Sequence, residues 1–132
     1  FNVSSDNPNY SSVDGVLFDK DKKTLLRYPL NREADSYVVP STVTTIGESA
    51  FYGASKVKSI VTGVGLESIA YSAIANLANL EIIEINLYNT LGVNQKIKLS
   101  DKNMDLSNLN SGTYILMIKT LEGIITKKII RN

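Results

Sequence analysis

The chain contains no cysteine and no histidine. Their absence removes disulfide staples, thiolate nucleophiles, zinc sites of the common kinds and the side chain that titrates closest to neutral pH. Most familiar catalytic constellations therefore cannot be built from these 132 residues. Tryptophan is missing as well, which leaves tyrosine, with seven copies against three phenylalanines, as the main aromatic. An excess of either charge is absent too. Fourteen Lys and Arg face 13 Asp and Glu, and a net charge of +1 sets up no field that would draw in nucleic acid or an anionic membrane. No apolar run approaches the roughly 18 residues that a membrane-spanning helix needs. What is present is bulk. With 43% hydrophobic residues, 132 residues suffice for one ordinary domain, or for two small units sharing a core. The first residue is Phe1 rather than methionine, which reads as part of a longer or processed chain whose targeting signal lies elsewhere.

One pattern is written twice. VTTIGESAF, residues 43–51, and LESIAYSAI, residues 66–74, share an aliphatic start, an isoleucine, an alanine and a large apolar end, displaced by 23 positions. In the same register Val43, Ile46, Ala50, Phe51, Val57 and Ile60 fall opposite Leu66, Ile69, Ala73, Ile74, Leu80 and Ile83. Aliphatic periods of 20 to 29 residues are the mark of leucine-rich repeats, whose units cannot cover their own apolar faces and must stack. The alanines are expected where coils approach closely, and Phe51 and Ile74 between layers. Thr44, Thr45, Glu48, Ser49, Glu67, Ser68, Tyr71 and Ser72 are expected to face water.

The stretch YVVPSTVTTIGESAFYG resembles the repeat of the BspA-like family of bacterial surface leucine-rich proteins, through Pro40, Val43, Thr44, Ile46, Gly47, Ala50, Phe51, Val57 and Ile60. The next unit departs from it: Ala70 stands for the glycine, Ile74 for the phenylalanine, and no proline precedes Leu66. Such decay agrees with a solenoid nearing its end. Upstream, the apolar runs Val16 to Phe18 and Leu25, Leu26 and Tyr28 flank a charged turn from Asp19 to Lys23, which predicts a β-hairpin. With Asn7, Pro8, Tyr10, Asp14 to Leu17 and Pro29, this segment is similar to the hairpin insert of the same family, here bounded by residues 10–29. Phe1 to Val3 would end the strand of a preceding unit.

After Ile83 the period gives way to alternation. Ile83, Ile85 and Leu87 share one side of a strand; Tyr114, Leu116 and Ile118 oppose Ile115 and Met117; Ile125 and Ile129 oppose Ile124 and Ile130. Leu121-Glu122-Gly123 is expected to close a hairpin, and the two-faced Tyr114 strand to be central and covered on both sides. This third resembles the C-terminal sorting domain of the type IX secretion system of Bacteroidetes. The matching residues are Tyr88-Asn89-Thr90-Leu91-Gly92, Asp105-Leu106-Ser107-Asn108-Leu109, Ser111-Gly112-Thr113-Tyr114 and Lys127-Lys128-Ile129-Ile130. The opening strands of that family are missing, so either the solenoid supplies the missing edge or these strands act simply as a cap. The resulting expectation is a mainly β fold with short helices or turns. Repeats with a hairpin insert occupy residues 1–83, capped by a small antiparallel β-sandwich-like region at 84–132.

Sites for chemistry are sparse. Asp19-Lys20-Asp21 begins like a calcium loop, but Lys23 stands where an oxygen ligand belongs and the loop glycine is absent; Asp105, Asn108 and Asn110 are explained by a turn. Glu48 and Tyr71 do not form a carboxylate pair, nor do Glu81 and Glu84 show signs of burial, so glycoside hydrolysis has no support. No cofactor, metal or catalytic residue is assigned. Tyr37, Tyr52 and Tyr71 are candidate anchors for a protein or glycan partner, because tyrosine joins a large apolar face to a hydroxyl; partial burial in the stack explains them equally well. The resemblances imply a non-catalytic, secreted or outer-surface protein. Its repeats would bind host matrix proteins or other bacterial surface proteins, and its tail would engage secretion machinery. The alternatives are an accessory region of a larger exported enzyme and a structural spacer.

Overall fold

The computed structural model describes residues 1–63, 65–74, 82–95, 97–100, 103–120 and 123–132, with only the backbone at 71, 74, 82–84, 99, 100 and 120. Almost all of its regular structure is β. In chain order the strands are β1 (Tyr10–Val13), β2 (Val16–Asp19), β3 (Thr24–Arg27), β4 (Ser36–Val38), β5 (Thr45–Ile46), β6 (Ser59–Thr62) and β7 (Ser68–Ala70). One helical turn, α1 (Tyr71–Ile74), follows, and then β8 (Ile82–Asn89), β9 (Asn94–Gln95), β10 (Lys98–Ser100), β11 (Asn103–Asp105), β12 (Gly112–Thr120) and β13 (Gly123–Arg131). They form two mixed sheets, in the orders β1-β2-β3-β5-β7-β11-β10 and β4-β6-β13-β12-β8-β9.

The repeat is visible as hydrogen-bond register. In the first sheet β5 pairs β7 in parallel with Thr45 opposite Ser68 and Ile46 opposite Ile69. In the second, β4 pairs β6 in parallel with Tyr37 opposite Ile60 and Val38 opposite Val61. Each partner is 23 residues further along, in both sheets. The corners repeat as well: the amides of Thr44 and Thr45 both donate to the Lys23 carbonyl (2.8 and 3.1 Å), and those of Glu67 and Ser68 to the Thr44 carbonyl (2.8 and 3.2 Å). Ala50 and Ala73 are fully buried and lend their carbonyls to the amides of Tyr28 (2.7 Å) and Phe51 (2.8 Å). A side chain larger than a methyl group at either alanine would separate coils held at hydrogen-bonding distance. Of the positions expected to face water, Glu48 and Glu67 are exposed, while Thr44, Thr45, Ser49, Ser68 and Ser72 are half-buried.

The insert holds one strand more than the apolar runs predict. Asp14 (φ 49°) and Gly15 (φ 82°) form a two-residue turn with both φ values positive, the geometry that Asp-Gly favours between twisted antiparallel strands, and it pairs β1 with β2. Residues 1–3 form no strand here and lie along the insert. The Phe1 amino group donates to the Gly15 carbonyl (3.0 Å) and the Val3 amide to the Ser12 hydroxyl (2.9 Å).

Three expectations for the C-terminal third need correction. Ile60 does not meet the strand of Ile83; its other neighbour is Ile129, because β13 lies in parallel beside β6, and β8 is two strands further out. Nor do the C-terminal strands form a sandwich of their own. They extend both sheets of the repeat, β11 pairing β7 with Met104 opposite Ile69, and β13 pairing β6. The physical reason is that both last strands of the repeat carry an open edge and an open core, and each needs a cover. The β12 strand is central, between β13 and β8, but covered fully on one face only: Tyr114, Leu116 and Ile118 are buried, whereas on the other Met117 is half-buried and Ile115 is 37% exposed. Leu80, Leu121 and Glu122 lie outside the described residues, as do the side chains of Ile74 and Ile83.

Side chains and main chain tie this cover down. The buried Arg131 guanidinium donates to the Leu66 carbonyl (2.7 Å), Lys127 Nζ to the Val57 carbonyl (2.8 Å) and the Asn132 amide to the Thr62 carbonyl (2.8 Å). Charge-assisted bonds such as the first two are among the stronger contacts available to a chain end.

Between the insert and the repeat sits an aromatic cluster. Tyr28 packs edge-on against Tyr37 (centroids 5.0 Å apart) and stacks on Phe51 (5.2 Å), with the Arg32 guanidinium 5.8 Å from each tyrosine ring. The Tyr28 hydroxyl is buried and, among the described residues, has no hydrogen-bond partner. Burial pushes the Tyr37 hydroxyl up from 10.0 to about 12, against the lowering field of Arg32.

Ala50→Glu should cost about 4 kcal/mol or more in urea denaturation, since it places an unpaired charge in a fully buried seam, whereas Glu48→Ala on the exposed side should stay within about 0.5 kcal/mol of the parent. Tyr28→Phe should leave stability unchanged or raise it by up to about 1 kcal/mol, because it deletes only a buried hydroxyl that bonds to none of the described residues. Tyr37 is favoured in its neutral form by folding. Its contribution is therefore complete below the unfolded tyrosine pKa of about 10 and is lost as pH rises through about 12. Tyrosinate absorbance should show a last step near 12 that Tyr37→Phe removes.

Candidate interaction surface

The stack that buries Leu25, Ile46, Ile69 and Met104 turns their neighbours outward. Thr24 stands opposite Thr45, Thr45 opposite Ser68, and Ser68 opposite Asp105. One half-buried polar residue per strand thus forms a row across β3, β5, β7 and β11. The Ser68 hydroxyl donates to that of Thr45 at 3.4 Å. At the end of the row a shallow groove of about 450 Å³ is lined by Glu67, Ser68, Asn103, Asp105 and Ser107. Asp105 Oδ1 accepts from the hydroxyl (2.6 Å) and the amide (2.9 Å) of Ser107. Those bonds, the hydroxyl first, hold its carboxyl below the usual carboxylate range. The surface is thus acceptor-rich and fixed in place. It can take hydrogen-bond donors, such as the amides, ammonium or guanidinium groups of a protein.

The structure sorts the residues singled out in the sequence. Tyr37 is in the core, 9% exposed, so it cannot anchor a partner; its ring is spent on Tyr28 and Phe51. Tyr52 is half-buried, with the Arg27 guanidinium 5.5 Å from its ring centroid and donating to the Ser49 carbonyl (2.7 Å). The Tyr71 backbone belongs to α1, and its side chain lies outside the described residues. Tyr37, being buried, shares no exposed surface with Tyr52. Asp19 Oδ1 accepts the amides of Lys23 (2.7 Å) and Thr24 (3.0 Å), the work of a hairpin turn. Among the described residues no group of three Asp or Glu is placed to hold a metal ion. Glu81 and the Glu84 side chain lie outside the described residues. Sequence reasoning missed the polar row. The signal for its centre was available, because Thr45 and Ser68 are one period apart; Thr24 and Asp105 join it through the insert and the cap, which do not obey the period.

Comparison with solved structures gives a pneumococcal match, described as the vaccine antigen PcpA, at 37% identity and a TM-score of 0.50, over 53% of this chain and 17% of that one. A leucine-rich repeat protein from Eubacterium ventriosum matches at 24% identity and a TM-score of 0.41, over 55% of this chain and 27% of that one. The chain thus spans well under a third of either protein. No curated protein matches it. The family model described as BspA type leucine rich repeat region (6 copies) matches residues 30–115, which runs beyond the last visible period and into β12. That match covers well over half of the chain, its 23-residue register is written in both sheets, and the chain belongs to the BspA-type leucine-rich repeat family.

Proposed function

We propose that this chain is a non-catalytic, secreted or surface-exposed binding module, whose stacked repeats form a solenoid that presents the Thr24, Thr45, Ser68 and Asp105 row to a protein partner. The observation that carries this reading is the row itself: one half-buried polar residue on each of four neighbouring hydrogen-bonded strands, each directly opposite the next. Rigid, repeated hydroxyl and carboxylate positions suit a broad protein surface better than a small molecule, since the groove is shallow and has no apolar floor. Family membership and the likeness to a pneumococcal antigen support an extracellular setting. The sorting role of residues 84–132 is part of the same proposal, with export through a type IX system. The same strands cover the last coil of the repeat, so on this reading an address and a cap share residues.

The test combines adhesion and export of the full chain. Thr45→Arg with Ser68→Arg should abolish retention on whichever immobilised matrix or bacterial surface protein holds the parent, with the denaturation midpoint unchanged. Export should require an intact type IX system in the expressing strain. Retention by the parent and the double variant alike would remove the row from the binding face. Equal release from competent and deficient strains would remove the sorting role.

A further inference from the structure

Strand β11 lies between β7 and β10, and Asp105 at its end has Ser68 opposite on one side and Lys98 opposite on the other. The groove at the end of the polar row uses the first side. On the second, a separate and smaller hollow of about 180 Å³ is lined by Gln95, Ile97, Lys98, Asp105, Asn108 and Leu109. Ile97 and Leu109 supply its apolar part, both half-buried and packed against the core. The Leu109 amide donates to the Leu106 carbonyl (3.1 Å), so the turn that carries Asn108 and Leu109 is closed on itself.

The polar part of the lining carries both signs of charge and both senses of hydrogen bonding. Asp105 Oδ1 is taken by Ser107, and Oδ2 is left as an acceptor among the described residues. Also among the described residues, the Lys98 ammonium is in no ion pair and the Asn108 amide in no hydrogen bond. Gln95 spends Nε2 on the Val93 carbonyl (2.8 Å) and keeps its amide oxygen. A cation entering here meets Lys98, and an anion meets Asp105. A neutral group that both donates and accepts satisfies the whole lining, and a hydroxyl does so with one donor and two lone pairs. The volume lies below the roughly 300 Å³ at which pockets for drug-sized ligands begin, which leaves room for one small ring.

We propose that this hollow binds one pyranose ring of a glycan, whose adjacent hydroxyls are shared among the Asp105 carboxylate, the Lys98 ammonium and the Asn108 amide while the C–H face of the ring rests on Ile97 and Leu109. Hydroxyls on one ring are held at fixed spacing, so several bonds form for the orientational cost of a single rigid ligand. The Ser107 bonds supply the matching rigidity on the protein side, because they hold the Asp105 carboxylate in place. The site adjoins the polar row at Asp105 but stands whether or not that row holds a protein.

The probes are the methyl α-pyranosides of glucose, mannose and galactose, added to the full chain and followed by NMR. The controls are tetrahydropyran-2-methanol, a similar ring with one hydroxyl, and L-leucine, a zwitterion with an aliphatic side chain. At least one glycoside should shift the Ile97 and Leu109 methyl signals and the Asn108 side-chain amide saturably in the millimolar range, as a ligand of this size allows. Asn108→Ala, at an exposed position, should weaken that binding about fivefold and leave the denaturation midpoint unchanged. The same variant should keep the parent's retention on an immobilised protein, and Thr45→Arg with Ser68→Arg should keep the glycoside shifts, so the two sites fail separately. The proposal is overturned by the absence of a saturable shift with all three glycosides, or by shifts confined to Thr45 and Ser68. An equal response to the one-hydroxyl ring, tighter binding of leucine, or an Asn108→Ala variant that binds like the parent would each overturn it as well.

Discussion

Everything in this molecule depends on a closure condition: the chain must return to the same lateral position after 23 residues, in two sheets at once. Parallel pairing imposes it. Ile46 can bond beside Ile69 and Tyr37 beside Ile60 only if the two corners between them consume the same number of residues in each unit. The repeated donation to the Lys23 and Thr44 carbonyls is how each corner is held to that count. An insertion of one residue in a corner would turn every following aliphatic side chain outward, since the side-chain period of a strand is two. The aliphatic sequence pattern and the hydrogen-bond register are therefore one constraint seen twice.

A stack governed by that condition has no natural end. Its last strands leave unpaired main-chain groups and an uncovered interior, and both are costly in water-exposed β structure. The C-terminal third resolves this by abandoning the period. A strand that must cover an edge needs only a matching register and one apolar face, and it may run either way. Accordingly β11 lies antiparallel to β7, with Met104 taking the place that the next isoleucine of the series would occupy, while β13 lies parallel to β6, with Ile129 in the corresponding place. Arg131 reaching the Leu66 carbonyl shows the cost of an imperfect fit being met by a long side chain in place of another coil. Cover and repeat thus share a single continuous hydrophobic core, from Val16 to Ile129.

This division explains what could be read in advance. The repeat was legible because its side chains answer to a fixed local period, so Val43, Ile46, Ala50, Phe51, Val57 and Ile60 were assigned inward from spacing alone, and all are buried. Strand type in the C-terminal third was legible from alternation. Partner choice was not, since alternation fixes which face is apolar and leaves open which neighbour covers it; Ile83 and Ile129 carry the same local signal, and only one can sit beside Ile60. The β1 strand was hidden for another reason. Its residues, Tyr-Ser-Ser-Val, are half polar, and the Asp14-Gly15 turn that defines it is a backbone signal with no apolar periodicity. Tyr37, for which an anchoring role and burial were equally open, is buried, with Tyr28 and Arg32 packed on its ring.

The arrangement also separates two kinds of surface. Where coils stack, outward positions are regular and polar, as Thr45 and Ser68 are, and their geometry is as rigid as the ladder beneath them. Where the cap departs from the period, strand lengths no longer match, and β13 outruns β6. Any contact made through the repeat can thus be altered by substitution at one phase of the period without disturbing the ladder, and any contact made through the cap is bound up with the strand that completes the core.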